Sequence, residues 1–232
     1  MIIPSGSMAD QDHRSVDLNL SFSHPFELVG MELVKPEKFF VRVNGKTINL
    51  LDSLTSATIM GHTGWKTSHS YGRPGVYQFA MQPEPYWEPA EDCFIVHCTK
   101  TVTAAFGAEE GWDEPVGLEA EIIPLTRPFG LYAGNVFQGR VVMNGTPVPG
   151  AEVEVEYYNR DGRAQAPSEY MITQVVKADD AGVFTYCAPR AGWWGFAALN
   201  TADYRLQAPD GTMKDVEVGG VLWVEFMDWK ER

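Results

Sequence analysis

The chain has 232 residues, with 31 acidic against 18 basic and a formal net charge of −13. A surface this acidic repels nucleic acid and anionic lipid, so neither is expected as a partner. With 44% hydrophobic and 12% aromatic residues, a disordered chain is excluded. No apolar run reaches the roughly 18 residues of a membrane-spanning helix.

Residues 1–13 read as irregular and polar. Val16-Asp-Leu-Asn-Leu-Ser-Phe22 then alternates cleanly, which predicts a strand with one buried face, and Ser23-His24-Pro25 ends it. Lys38–Val43 and Lys46–Leu50 flank Asn44-Gly45, a hairpin signal because both residues tolerate positive φ. Shorter strands are expected at Thr58–Met60 and Gly64–Thr67, with one helical turn allowed between residues 50 and 60. Gly75–Met81 and Asp92–Val102 read as longer strands. Three prolines between them, at Pro83, Pro85 and Pro89, exclude a helix or a central strand there.

The segment 104–117 has no periodicity, and Glu109-Glu-Gly-Trp-Asp-Glu-Pro115 is acidic and interrupted. It marks a boundary between halves 1–117 and 118–232. Glu119–Leu125 starts the second half, where Asn144-Gly145 signals another hairpin. Val153, Val155 and Tyr157 alternate with Glu152, Glu154 and Glu156, giving one apolar face and one acidic, solvent-facing one. Strands follow at Gln174–Ala178, Val183–Cys187 and Trp193–Ala198. Of Trp193 and Trp194, one is expected in the core and one at the surface or in a cleft. Short alternating strands separated by turns predict an all-β fold of two immunoglobulin-like sandwiches.

No hydrolase elbow, phosphate loop, dinucleotide fingerprint or zinc-protease helix motif is present, and no catalytic residue is assigned. Cys93 and Cys98 face opposite sides of one expected strand and should not bridge each other. All five histidines, at 13, 24, 62, 69 and 97, fall in the first half. Imidazole is the commonest metal ligand at neutral pH. His62 and His69 flank an expected hairpin, where cross-strand approach could bring them together. Glu84, Glu88, Glu91 and Asp92 surround Tyr86-Trp87. Those carboxylates suit a solvated loop, a hard-cation site or, given the right separation, glycoside hydrolysis.

Several segments together resemble a known family. They are Leu18-Asn-Leu-Ser-Phe-Ser-His-Pro-Phe-Glu27, Arg73-Pro-Gly-Val-Tyr-Gln-Phe79, Pro85-Tyr-Trp-Glu-Pro-Ala-Glu-Asp92 and Gly117-Leu-Glu-Ala-Glu-Ile-Ile-Pro-Leu125. Ala133-Gly-Asn135, Gly145-Thr-Pro-Val-Pro-Gly-Ala-Glu-Val153 and Gly192-Trp-Trp-Gly-Phe196 follow. This pattern resembles bacterial periplasmic components of cobalt and nickel uptake systems, with a carboxypeptidase-regulatory-like, immunoglobulin-like second half. The resemblance implies a periplasmic protein, its leader absent from this chain. It would bind nickel(II) or cobalt(II) as cargo and assist a membrane nickel/cobalt transporter, without being an enzyme. Family members carry a histidine just after the leader, and this chain, opening Met1-Ile-Ile-Pro4, departs from that. His24, His62 and His97 are the candidate metal ligands, with Glu27 and His69 as second choices. Two rival readings remain. One is a protein- or glycan-binding module of the cell envelope using Tyr86, Trp87 and Trp112; the other is a carboxylate-based hydrolase using residues 84–92.

Overall fold

The computed structural model describes residues 1–230. The first half contributes β1 (Ile2–Pro4), β2 (Met8–Ala9), β3 (Ser15–Leu20), β4 (Phe22–His24), β5 (Val29–Met31) and β6 (Lys38–Val43). It continues with β7 (Lys46–Asn49), β8 (Thr55–Ile59), β9 (His62–Ser70), β10 (Gly75–Gln82), β11 (Tyr86–Glu88) and β12 (Cys93–Ala105). The second half adds β13 (Ala120–Pro124), β14 (Leu131–Tyr132), β15 (Val136–Met143), β16 (Thr146–Pro147) and β17 (Glu152–Tyr157). Then come β18 (Thr173–Lys177), β19 (Val183–Cys187), β20 (Gly192–Gln207) and β21 (Met213–Met227). Helical structure among the described residues is limited to 3-10 turns at Leu51–Ser53 and Glu169–Met171, so the fold is all-β.

One large sheet runs in the order β18-β17-β20-β21-β12-β10-β6-β7. Two smaller sheets pack on it, β1-β3-β9-β8 from the first half and β13-β15-β16 with β19 from the second. They cover opposite faces, as the side-chain alternation requires. Phe39, Val41, Val43, Tyr77, Phe79 and Met81 of the large sheet meet Ile2, Val16, Leu18 and Leu20. On the other face Val153, Val155, Trp194, Phe196, Leu222 and Val224 meet Ile122, Phe137, Val141 and Phe184. The result is two sandwich-like packings, offset along one shared sheet.

The boundary expected near residue 117 lies between β12 and β13, and the large sheet runs across it. β12 pairs in parallel with β21, from Phe94 opposite Val216 to Thr101 opposite Trp223. Both Asn-Gly hairpins form, with φ of 48° and 71° at Asn44 and Gly45 and of 49° and 75° at Asn144 and Gly145. β1 lies within the segment read as irregular; its Ile2 and Ile3 are buried against the core. Trp193 and Trp194 are 7% and 5% exposed, so neither is a surface residue. Adjacent residues of a strand face opposite ways, and here each face is covered. All three cysteines are free.

At the junction of the halves, Lys100 on β12 and Glu121 on β13 form an ion pair, Nζ to Oε1 at 2.5 Å. Their side chains are 1% and 2% exposed. Glu121 also accepts from the backbone N–H groups of Val116 and Gly117, at 2.9 and 3.2 Å. Burial pushes the Lys100 pKa down, and Glu121 opposes that shift. Removing one partner leaves the other charge buried and uncompensated, which costs about 3–5 kcal/mol. Lys100→Met should therefore lower the urea-unfolding free energy by about 3–5 kcal/mol, and Lys100→Met combined with Glu121→Gln should recover part of the loss.

Candidate functional site

The first-half sheet covers only part of its face of the large sheet. Beside it lies a cleft of about 310 Å3. Its floor follows from strand register. Ile95, His97 and Thr99 of β12 share a face with Glu217, Val221 and Trp223 of β21, which lie beside Gly195, Ala197 and Leu199 of β20. Glu154 and Glu156 of β17 pair with Ala197 and Gly195, and so face the cleft too. Phe22, Ser23 and His24 of β4, Glu32 and Tyr86 line its walls.

Two glycines make room for the floor's rings. A Cβ on Gly219 would sit 2.5 Å from Cδ2 of His97, and one on Gly195 would sit 2.8 Å from the Trp223 ring. Glycine inside a strand marks such close approach. The His97 ring therefore lies against Gly219, with Nε2 2.9 Å from Glu217 Oε1. The Phe22 ring meets it edge-on at 5.9 Å.

Of the acidic face that the alternation assigns to solvent on β17, Glu152 is exposed, whereas Glu154 and Glu156 are half-buried in this cleft. Burial holds the Glu154 carboxyl above its ordinary pKa, with Glu156 and Glu217 adding to the shift and His97 opposing it. Burial likewise raises Glu156, against the Thr173 hydroxyl that donates to its Oε1 and the nearby His24. Glu156 Oε2 and Trp223 Nε1 are buried without a hydrogen-bond partner.

Of the candidate ligands, His24 and His97 line the cleft, while His62 and Glu27 do not. His62 reaches toward it through Nδ1, 3.1 Å from Oε1 of Glu32. The expected approach of His62 to His69 does not occur. Both lie on β9, and seven residues of strand separate them by about 23 Å. His69 instead packs among the Tyr71, Tyr77 and Phe79 rings at 5.4 to 5.9 Å, where burial lowers its pKa. Among the described residues, no three His, Cys, Asp or Glu side chains are grouped so as to hold a metal ion.

The aromatic residues singled out by sequence do not form one patch. Tyr86 packs on Phe22 at the cleft wall, with centroids 5.1 Å apart, whereas Trp87 packs on Phe94 at 5.0 Å. Trp112 rests against the second-half core. Glu84, Glu88 and Glu91 line the cleft, and Asp92 binds Lys214 Nζ at 2.6 Å. Sequence reading missed Glu154, Glu156, Glu217 and Trp223 as site residues. The i, i+2 spacing of Glu154 and Glu156 placed them on one face, but nothing local showed what covers it.

A family model described as a domain of unknown function, DUF4198, matches residues 1–202. No curated protein matches the chain. Among solved structures, the D0-D1 domain of intimin aligns over 95% of this chain and 97% of its own at 11% identity and a TM-score of 0.27. A DUF3823 family protein from Bacteroides uniformis aligns over 96% and 98% at 9% identity and 0.26. Murine CEACAM1b aligns over 99% of each chain at 10% identity and 0.22. Scores this low carry no argument about what the chain does.

The two raised carboxyls give a pH dependence of known sign. Each holds its proton to higher pH in the folded chain than in the unfolded one. Stability is therefore lost as pH rises from the ordinary value of 4.5 through the raised ones, and the loss persists at neutrality. Glu154→Gln and Glu156→Gln should each raise the melting temperature near pH 7 and leave it unchanged below about pH 4, as followed by calorimetry.

Proposed function

The chain belongs to the DUF4198 family, and we propose that this member binds a divalent transition-metal ion, nickel(II) or cobalt(II), in the cleft. The observation that carries this reading is that His24 and His97, far apart in sequence, both open onto a cavity lined by Glu154, Glu156 and Glu217. Nickel takes imidazole together with carboxylate donors. The clustered negative charge raises the local concentration of cations. Glu217 Oε1 lies 2.9 Å from His97 Nε2, and a carboxylate bonded to one ring nitrogen raises the basicity of the other. The donors are not preassembled, so binding draws the side chains together around the ion. In this role the protein is an accessory of a metal uptake system in the periplasm that hands its cargo to a membrane nickel/cobalt transporter, and it performs no reaction of its own.

One observation favours a second reading, a glycan-binding module of the cell envelope: Tyr86 flanks the carboxylates at the cleft wall, an arrangement suited to stacking on a sugar ring.

Calorimetric titration with nickel(II) should give one saturable site. The double variant His24→Ala/His97→Ala should weaken it by about tenfold or more, and His62→Ala, outside the cleft lining, should weaken it less. Absence of binding to both nickel(II) and cobalt(II), with binding to a neutral oligosaccharide, would favour the glycan reading instead.

A further inference from the structure

The cleft has walls that a bare ion does not use. It encloses about 310 Å3, the lower end of the range for small-molecule pockets, about 300–1,000 Å3. Ala197 of β20 carries only a methyl group on its floor, between Glu154 of β17 and Val221 of β21 in register. Phe22, Met31, Tyr86, Ile95, Leu199 and Val221 supply apolar surface around that space. Such surface does nothing to hold a hydrated metal ion, but it favours an apolar group leaving water.

The charged part of the lining has one sign. Seven glutamates border the cleft, and among the described residues no lysine or arginine does. Glu32 and Glu217 meet His62 and His97, but none of the seven forms an ion pair with a described lysine or arginine. β17 shows the contrast within one strand. Glu152 is exposed and pairs with Lys177 at 3.0 Å. Glu156 accepts from the Thr173 hydroxyl. Glu154, between them and half-buried, has neither an ion-pair partner nor a hydrogen-bond donor among the described residues. A carboxylate withdrawn from water without a partner is costly, and a cation placed beside it offsets that cost.

We propose that the cleft takes an organic ammonium ion, a protonated amine on an apolar body the size of a phenylethyl or hexyl group. The ammonium N–H groups donate to Glu154, in a charge-assisted bond stronger than one between neutral groups. The body lies over Ala197 and Val221, against Ile95 and the rings of Phe22 and Tyr86, whose faces attract cationic and apolar groups alike. An anion of the same shape would meet like charge throughout the lining. The inference goes beyond the metal-binding reading: it uses the carboxylates and the apolar wall, and no imidazole takes part.

Calorimetric titration of the full chain near neutral pH tests this with four probes: 2-phenylethylammonium, 2-phenylethanol, methylammonium and nickel(II). The phenylethylammonium ion should bind at one site, about tenfold or more tighter than the neutral alcohol or methylammonium, a difference of about 1.4 kcal/mol in each comparison. Glu154→Gln keeps the side-chain shape and removes the charge, so it should weaken that binding by about tenfold. Glu152→Gln, on the same strand but outside the cleft, should leave it unchanged. Equal binding of the alcohol overturns the inference, because the cleft is then only an apolar slot. Equal binding of methylammonium overturns it as well, because the cleft is then only an acidic surface. An equal loss in the Glu154 and Glu152 variants also overturns it. No binding of phenylethylammonium overturns it, and nickel(II) binding to the same protein then leaves the metal reading standing. Binding of phenylethylammonium without nickel(II) upholds the inference and removes the metal reading.

Discussion

The pairing of β12 with β21 is the constraint from which the rest follows. It is parallel and joins residues more than 120 positions apart, such as Phe94 and Val216. Parallel neighbours need a long crossover, and here that crossover is most of the second half. The pairing brings His97 alongside Gly219 and Glu217. It also places β20 and β17 far enough along the sheet for Glu154 and Glu156 to face the same space. Without it, the histidines of one half and the carboxylates of the other would not meet.

Most of the local structure was legible in the sequence. The alternation of Val16, Leu18 and Leu20, and of Val153 and Val155, shows directly which faces are buried. The Asn44-Gly45 and Asn144-Gly145 turns were set by their tolerance of positive φ. What escaped was non-local. Met213–Met227 is apolar on both faces from Val218 through Val224, because it lies in the middle of a sheet packed on both sides. It offers little of the period-2 contrast that marks an amphipathic strand. Lys100 is hidden for a related reason: a lysine in a strand reads as solvent-facing until a partner such as Glu121 is placed opposite it.

The candidate site was legible in part. His24 and His97 reached the cleft, and His62 stands just outside it, hydrogen-bonded to the lining residue Glu32. The sequence supplied the imidazoles because residue type alone nominates them. It could not supply Glu217 or Trp223, whose role comes only from their register against β12 and β20. The acidic alternation on β17 was seen, and its solvent exposure holds at Glu152 but not at Glu154 and Glu156. Burial at Glu154 and Glu156 turns ordinary carboxylates into groups that resist ionisation.

The shared sheet has a consequence for ancestry. The match to the family model ends at residue 202, inside β20, whereas β21 follows it and lies at the centre of the large sheet. Neither half can be lifted into another gene and keep its interior, since each would lose a strand's neighbour and bare a long row of unpaired amides.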